Sequence, residues 1–250
     1  ICIVLLSSLT FPPTPPPAAV TTPVGEIIRR PAFVTAVVAG MVAYGTMNLA
    51  MTATPLEMLF CGFSVSASAT VIQAHAVAMY APGFFTGHLI TRFGVRPVIV
   101  AGAGLTAVSV GVALLGETFW HFAIGLAVLG LGWNFMFVGA TSLLATAYAP
   151  HERVRAQAAN DFIVFGTVAC TAFLSGYVHA RFGWSLLNLT LIPPLVAALA
   201  LLSGWVAEVD PALLWSKLAA STLLPKPEPR LGGVNWTNSV VTVALAFMVL

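Results

Sequence analysis

Apolar residues run along this chain in stretches of roughly 20, the length that crosses a bilayer's hydrocarbon as helix. Charge, proline or glycine breaks the stretches apart. Six complete runs stand out, at about 32–54, 68–90, 97–116, 119–148, 160–180 and 184–207. Each predicts a transmembrane helix. Residues 1–10 read as the end of a preceding transmembrane helix: they are apolar from Ile1, with no initiator Met and no basic region of the kind that opens a signal peptide. Residues 11–31 form a linker containing "FPPTPPP", too rich in proline for helix and expected to be extended. Residues 208–233 read as a polar tail with "PKPEPRLGG", and 234–250 as an apolar segment that stops mid-run and has no assigned role. The fold class expected is all-α, a polytopic membrane bundle with partial flanking helices.

Composition agrees with the pattern. Hydrophobic residues make up 59% of the 250 and charged residues 7%, against about 25% charged in a soluble domain. Ten Lys/Arg and eight Asp/Glu are too few to solvate a water-exposed surface of this size, so lipid is the expected solvent. The net charge of +2 is too small for a nucleic-acid partner. Cys2, Cys61 and Cys170 are isolated, with no C-x-x-C or metal spacing; Cys2 and Cys170 read as small buried hydrophobes. No metal or cofactor is expected.

The loop charges orient the six runs. Successive hydrophilic segments alternate sides. One side collects Arg29, Arg30, Arg92, Arg96, Arg153, Arg155, Lys217, Lys226 and Arg230, and the other holds only Arg181. The positive-inside rule then puts linker and tail in the cytoplasm. "GHLITRFG" (Gly87 to Gly94) and "GYVHARFG" (Gly176 to Gly183) share G-x4-R-F-G. Each closes the second helix of a three-helix set, and the two copies fall on opposite sides. Two inverted three-helix repeats account for this, and for Arg181 on the poorly charged side. Chance recurrence of a common helix-end pattern is the alternative.

Six spans after a cytoplasmic linker, with a basic G-x4-R-x-G-x-R turn between the second and third, resemble the C-terminal half of a major facilitator superfamily (MFS) transporter. That family's loop motif reads G-x-x-x-D-R-x-G-x-R/K. The matching positions are Gly87, Thr91, Arg92, Gly94 and Arg96. Thr91 replaces the acidic residue, which removes the carboxylate of that loop. "YAPHERVRAQAANDF" (Tyr148 to Phe162) resembles the family's loop between helices 10 and 11. "MNLAMTATPL" (Met47 to Leu56) and "VIQAHAVAMYAPGFFTGHLITRFG" are similar to a bacterial, largely uncharacterised subgroup. The resemblance covers about residues 29–207. It implies a secondary transporter of a small organic solute, in the lipid bilayer of the bacterial inner (plasma) membrane. It also implies that an N-terminal six-helix half, missing here, is the partner of these spans.

Transport needs polar groups at a water-filled cavity near the midplane, because unpaired polar groups are costly in hydrocarbon. Tyr44, Asn48 and Thr52 recur on one helical stripe of the first span. Gln73, Tyr80 and Phe84 share a face of the second, with His75 and Met79 beside it, and Trp133 and Asn134 lie mid-way along the fourth. Two readings apply to Asn48, Gln73, His75 and Asn134, a cavity lining or interhelical hydrogen-bonding. Gly125, Gly130, Gly132 and Gly139 suit close helix packing. Pro55, Pro82, Pro193 and Pro194 kink or end helices. In the loops, Arg92 and Arg96 are expected to cap helix ends, with Glu152, Arg153 and Arg155 pairing against that turn. Asn160 and Asp161 are expected as N-caps of the fifth span. No Asp, Glu, Lys or Arg lies mid-span, so a proton-carrying carboxylate is expected in the missing half, with His75 the one titratable candidate inside this one. An intramembrane enzyme would need paired Asp, H-E-x-x-H or a positioned Ser, and no such set is present. A non-transporting membrane protein or inactive fragment remains the other alternative.

Overall fold

The computed structural model describes residues 22–209, with side chains described through residue 204. The 1–10 stretch, most of the 11–31 linker, nearly all of the tail and the 234–250 segment lie outside the described residues, as do Cys2, Lys217, Lys226 and Arg230. Within them the chain forms α1 (Val24–Ile27), α2 (Pro31–Phe60), α3 (Val65–Tyr80), α4 (Gly83–Phe93), α5 (Val95–Leu115) and α6 (Phe119–Leu144). A short 3-10 helix (Pro150–Glu152), α7 (Arg153–Leu189) and α8 (Ile192–Val209) follow. No strand occurs among the described residues.

Local chemistry sets most of these boundaries. Pro31 opens α2 at the position where a missing N–H costs nothing. The Ser64 hydroxyl caps α3 by accepting from the Ala67 N–H. Pro82 lacks an N–H and ends α3, so the expected 68–90 span is divided into α3 and α4. Pro55 has no such effect, and α2 continues past it to Phe60. Pro193 and Pro194 fall in the first turn of α8, where proline is tolerated. The sixth expected run therefore comprises the end of α7 and then α8.

Gly94 and Gly183 end the two G-x4-R-F-G copies in the same backbone conformation, with φ/ψ of 89°/161° and 77°/179°. That region is open essentially to glycine alone. Each reorients the chain in a single residue: α5 begins at Val95, and α7 is carried through Gly183 without a loop. The repeated sequence thus encodes a repeated turn.

Four stretches are individually long and apolar enough to cross a membrane: Pro31–Phe60, Val95–Leu115, Phe119–Leu144 and Pro150–Gly204. The last, at 55 residues, holds two of the six expected runs, one on each side of Gly183. The remaining run is the one that Pro82 divides, and its pieces of 16 and 11 residues are each too short alone.

Helix α2 is the axis of the bundle. It packs against α3, α6, α7 and α8, and 83% of its apolar window is buried, against 39% for α5. Phe33, Val38, Val42, Met136 and Leu143 fill the core at one end of α2, and Met58, Val71, Leu129 and Leu187 at the other. Helices α5 and α6 touch backbone to backbone. A Cβ on Gly102 would lie 2.7 Å from both the Gly132 carbonyl oxygen and the Met136 nitrogen. Gly130 likewise lets α6 approach the His75 carbonyl of α3. These glycines serve helix contact.

Gly102→Ala should therefore force α5 from α6 and destabilise the bundle by about 1–3 kcal/mol, the usual cost of overpacking. Gly104→Ala, whose Cβ meets nothing within 4 Å, is the control. Thermal unfolding in detergent should show a lower melting temperature for the first variant alone. Equal behaviour of the two would refute the contact.

Candidate functional site

One seam and one row organise the polar and aromatic side chains inside the bundle. The seam joins α2 to α7. Asn48 donates to the Val168 carbonyl at 3.1 Å and to the Thr171 hydroxyl at 3.0 Å. The Ser175 hydroxyl donates to the Leu49 carbonyl at 2.7 Å. Val164, Thr167, Thr171, Ser175 and Val178 form the buried stripe of α7, spaced at helical intervals. Cys170 falls off that stripe and is exposed, which corrects the buried reading drawn from sequence.

The row crosses four helices. Tyr80, the last residue of α3, meets Trp133 of α6 edge-on, with ring centroids 6.2 Å apart. Trp133 meets Tyr44 of α2 at 5.2 Å, and Tyr44 meets Phe165 of α7 at 5.8 Å. Phe137 stacks on Trp133 at 5.0 Å, one turn along α6. Trp133 is buried and Tyr44 half-buried, while the Tyr80 and Phe165 rings at either end are 65% and 53% exposed. A floor of buried rings is thus flanked by two open ones. The buried Trp133 N–H has no hydrogen-bond partner, a state that costs about 1–3 kcal/mol. The Tyr44 and Tyr80 hydroxyls also make no hydrogen bond with a described residue.

The Pro82 break sits beside this row and is stitched by Asn134. The Asn134 amide donates to the Met79 carbonyl at 2.8 Å, and its oxygen accepts from the Thr86 hydroxyl at 2.6 Å. Asn134 is 3% exposed, and both ends of its amide are committed to helix contact. His75 is buried, its Nδ1 paired with the Leu126 carbonyl at 2.7 Å and its Nε2 without a partner. Gln73 and Phe84 are exposed and Thr52 half-buried. The structure brings Tyr44, Tyr80 and Trp133 together. It places Asn48 in the seam and leaves Gln73 and Phe84 facing outward. A separate, small pocket lies among Thr54, Ser109, His121 and Asn188, and it contains none of the cavity residues expected from sequence.

At the arginine-rich end the pairing differs from the expected one. Glu152, 2% exposed, is gripped by both nitrogens of the Arg30 guanidinium at 2.6 and 2.9 Å, and it accepts from the Ala149 N–H. Its partner is therefore Arg30, at the start of α2, and not the Arg92–Arg96 turn. Arg155 donates to the Thr22 carbonyl, which ties the same entry segment to α7. Arg92 lies in the last turn of α4, over the Phe93 ring. Arg96 lies in the first turn of α5. Gly87 is open on α4 and Arg153 begins α7. Asn160 and Asp161 are two turns inside α7 and bond to each other. They are not N-caps, because the helix starts at Arg153.

At the opposite end His179 Nε2 lies 2.5 Å from a Glu57 carboxylate oxygen. Cys61 neighbours Glu57 and Glu117. His179 was missed in the sequence: it sits 122 positions from Glu57, and only the parallel course of α2 and α7 brings the two together.

An all-helical bundle with an aromatic wall and a glycine-turned basic loop invites comparison with transporters. The Major Facilitator Superfamily profile matches residues 36–250. The chain belongs to the Major Facilitator Superfamily. It is 47% identical over 175 residues to the riboflavin transporter RfnT of Brucella anthropi, covering 70% of this chain and 44% of that protein. It is 32% identical over 170 residues to the uncharacterized MFS-type transporter YdeG of Bacillus subtilis, covering 67% and 37%. YddS of the same organism, also an uncharacterized MFS-type transporter, is 32% identical over 146 residues, covering 58% and 34%. The chain thus spans less than half the length of these relatives. No solved structure matches it significantly.

The Arg30–Glu152 pair carries a pH prediction. The Arg30 guanidinium, then the Ala149 N–H and Thr22, hold the Glu152 carboxyl down to about 2, from an ordinary 4.5. A folded-state value below the unfolded one stabilises fully above pH 4.5, and that contribution is lost as pH falls towards 2. Glu152→Gln should therefore melt below the wild type at neutral pH, with the difference closing as the pH drops from 4.5 to about 2. A difference that persists unchanged to the acid limit would contradict the assignment.

Proposed function

We propose that this chain is one helical half of a secondary transporter that carries a small, flat aromatic solute of the flavin type by alternating access. The aromatic row carries the reading. Tyr44, Tyr80, Trp133 and Phe165 draw on α2, α3, α6 and α7, and the rings at either end of the row are open rather than packed. Flat conjugated rings gain stacking energy on such a surface beyond the area they bury. The 47% identity to a riboflavin transporter names a solute of that shape. The other wall of the pathway is assigned to a second helical half, since alternating access rocks one half against the other around a midplane site.

The arginine-rich end is assigned to the cytoplasm of a bacterial inner membrane on the positive-inside rule. Arg30, Arg92, Arg96, Arg153 and Arg155 cluster there, and Arg181 lies opposite. In this orientation the Arg30–Glu152 pair closes the inner side of α2 against α7, and the Glu57–His179 pair joins the same helices at the outer side.

Riboflavin uptake by a riboflavin-auxotrophic bacterium expressing the complete gene that encodes this chain tests the proposal. The wild type should restore growth and concentrate labelled riboflavin. Tyr80→Ala should lower uptake at least severalfold at unchanged membrane abundance. Uptake no greater than in the empty host would overturn the reading.

A further inference from the structure

The aromatic row has a chemical signature beyond its shape. Its polar atoms are the Trp133 indole N–H and the Tyr44 and Tyr80 hydroxyls. All can donate, and all lack a partner among the described residues. Trp133 N–H is sealed from solvent, so no water satisfies it in this conformation. Within one turn of Tyr44, Tyr80, Trp133 and Phe165 the sequence holds a single charged residue, Asp161, and its carboxylate already accepts from Asn160.

A surface of stacked rings and unpaired donors, with one negative charge at its margin, suits one class of ligand. The rings call for a flat conjugated body. The donors call for acceptors on that body, carbonyl oxygens or ring nitrogens. Asp161 disfavours an anion. Building on the transport reading above, we infer that Trp133, Tyr80 and Tyr44 form a recognition set for the ring system of an uncharged flat heteroaromatic solute bearing carbonyl acceptors, and that Trp133 N–H is its specificity-determining donor. Tyr80 stands edge-on to Trp133 and is largely exposed. It is the open neighbour of Trp133 in the row, so a ligand that stacks there replaces the Tyr80 contact with its own ring. The set reads the ring and leaves any sugar-alcohol chain to other surfaces.

The test uses the complete transporter, purified in lipid nanodiscs, with binding read by flavin fluorescence and competition. Four probes separate the elements of recognition: riboflavin, the ring-only tricycle lumichrome, the chain-only polyol ribitol, and the anionic riboflavin 5′-phosphate. Trp133→Phe keeps a ring against Phe137 and deletes the N–H. Tyr80→Phe deletes only a hydroxyl and stands in if the tryptophan variant fails to fold. Each variant's melting temperature is recorded.

Lumichrome should compete with riboflavin, ribitol should not, and the phosphate should bind more weakly. Trp133→Phe and Tyr80→Phe should each weaken riboflavin and lumichrome about three- to tenfold, the weight of one neutral hydrogen bond, and Tyr80→Phe, on an exposed ring, should do so without shifting the melting temperature. Wild-type affinity for lumichrome in both variants, or competition by ribitol equal to that by riboflavin, would overturn the recognition set. Riboflavin transport that both variants leave unchanged would refute this inference and spare the transport reading. Lumichrome binding sensitive to Trp133→Phe, in a protein that does not carry riboflavin, would do the reverse.

Discussion

A backbone break inside hydrocarbon must find its hydrogen-bond partners within the protein, because lipid offers none. That constraint governs this bundle where α3 stops at Pro82. Asn134 of α6 bonds the Met79 carbonyl on one side of the break and the Thr86 hydroxyl on the other. The break is thereby satisfied within the protein. Tyr80 is left at the end of a helix rather than inside one, with its ring free to stand beside Trp133. The aromatic row thus depends on a polar stitch one residue away from Trp133. The neighbouring glycines depend on the same helix: Gly130 and Gly132 let α6 lie close to α3 and α5, and Asn134 could not span the break from further off.

The two ends of the molecule show how charge is tolerated. Glu152 is buried only because a bidentate guanidinium and a backbone N–H satisfy it. Glu57 has the His179 ring nitrogen as its hydrogen-bond partner. The first pair joins the residue before α2 to the short 3-10 helix that leads into α7, and the second joins α2 to α7 directly. Between them the α2–α7 seam is neutral, built from Asn48, Thr171 and Ser175. The contact between α2 and α7 is thus polar at both ends and along its middle.

Much of this was legible in the sequence. Long apolar runs and a 7% charged content leave little but a helical membrane bundle. The repeated G-x4-R-F-G was visible as letters, and its meaning as a glycine-only turn became concrete at Gly94 and Gly183. Tyr44, Tyr80 and Trp133 were each picked out as polar-aromatic positions on apolar helices. The periodicity of one helix does not say which neighbour it meets, so neither the Tyr44–Trp133 contact nor the Glu57–His179 pair was readable. Phe165 and Phe137 carry no polar group that would single them out in sequence, and only cross-helix distances set them apart. Asn160 misled because an Asn-Asp dipeptide near an apolar run resembles a helix start. The helix in fact begins at Arg153, since polar residues continue it beyond the hydrocarbon.

The central claim is that a flat solute rests on the row formed by α3, α6, α2 and α7. A density map of the complete transporter with bound riboflavin tests it most directly. The account predicts the isoalloxazine ring against Tyr80 and Phe165, with a ring acceptor within hydrogen-bond distance of Trp133 Nε1. A ring lodged instead in the pocket near Thr54, His121 and Asn188, or bound without contact to this row, would contradict it.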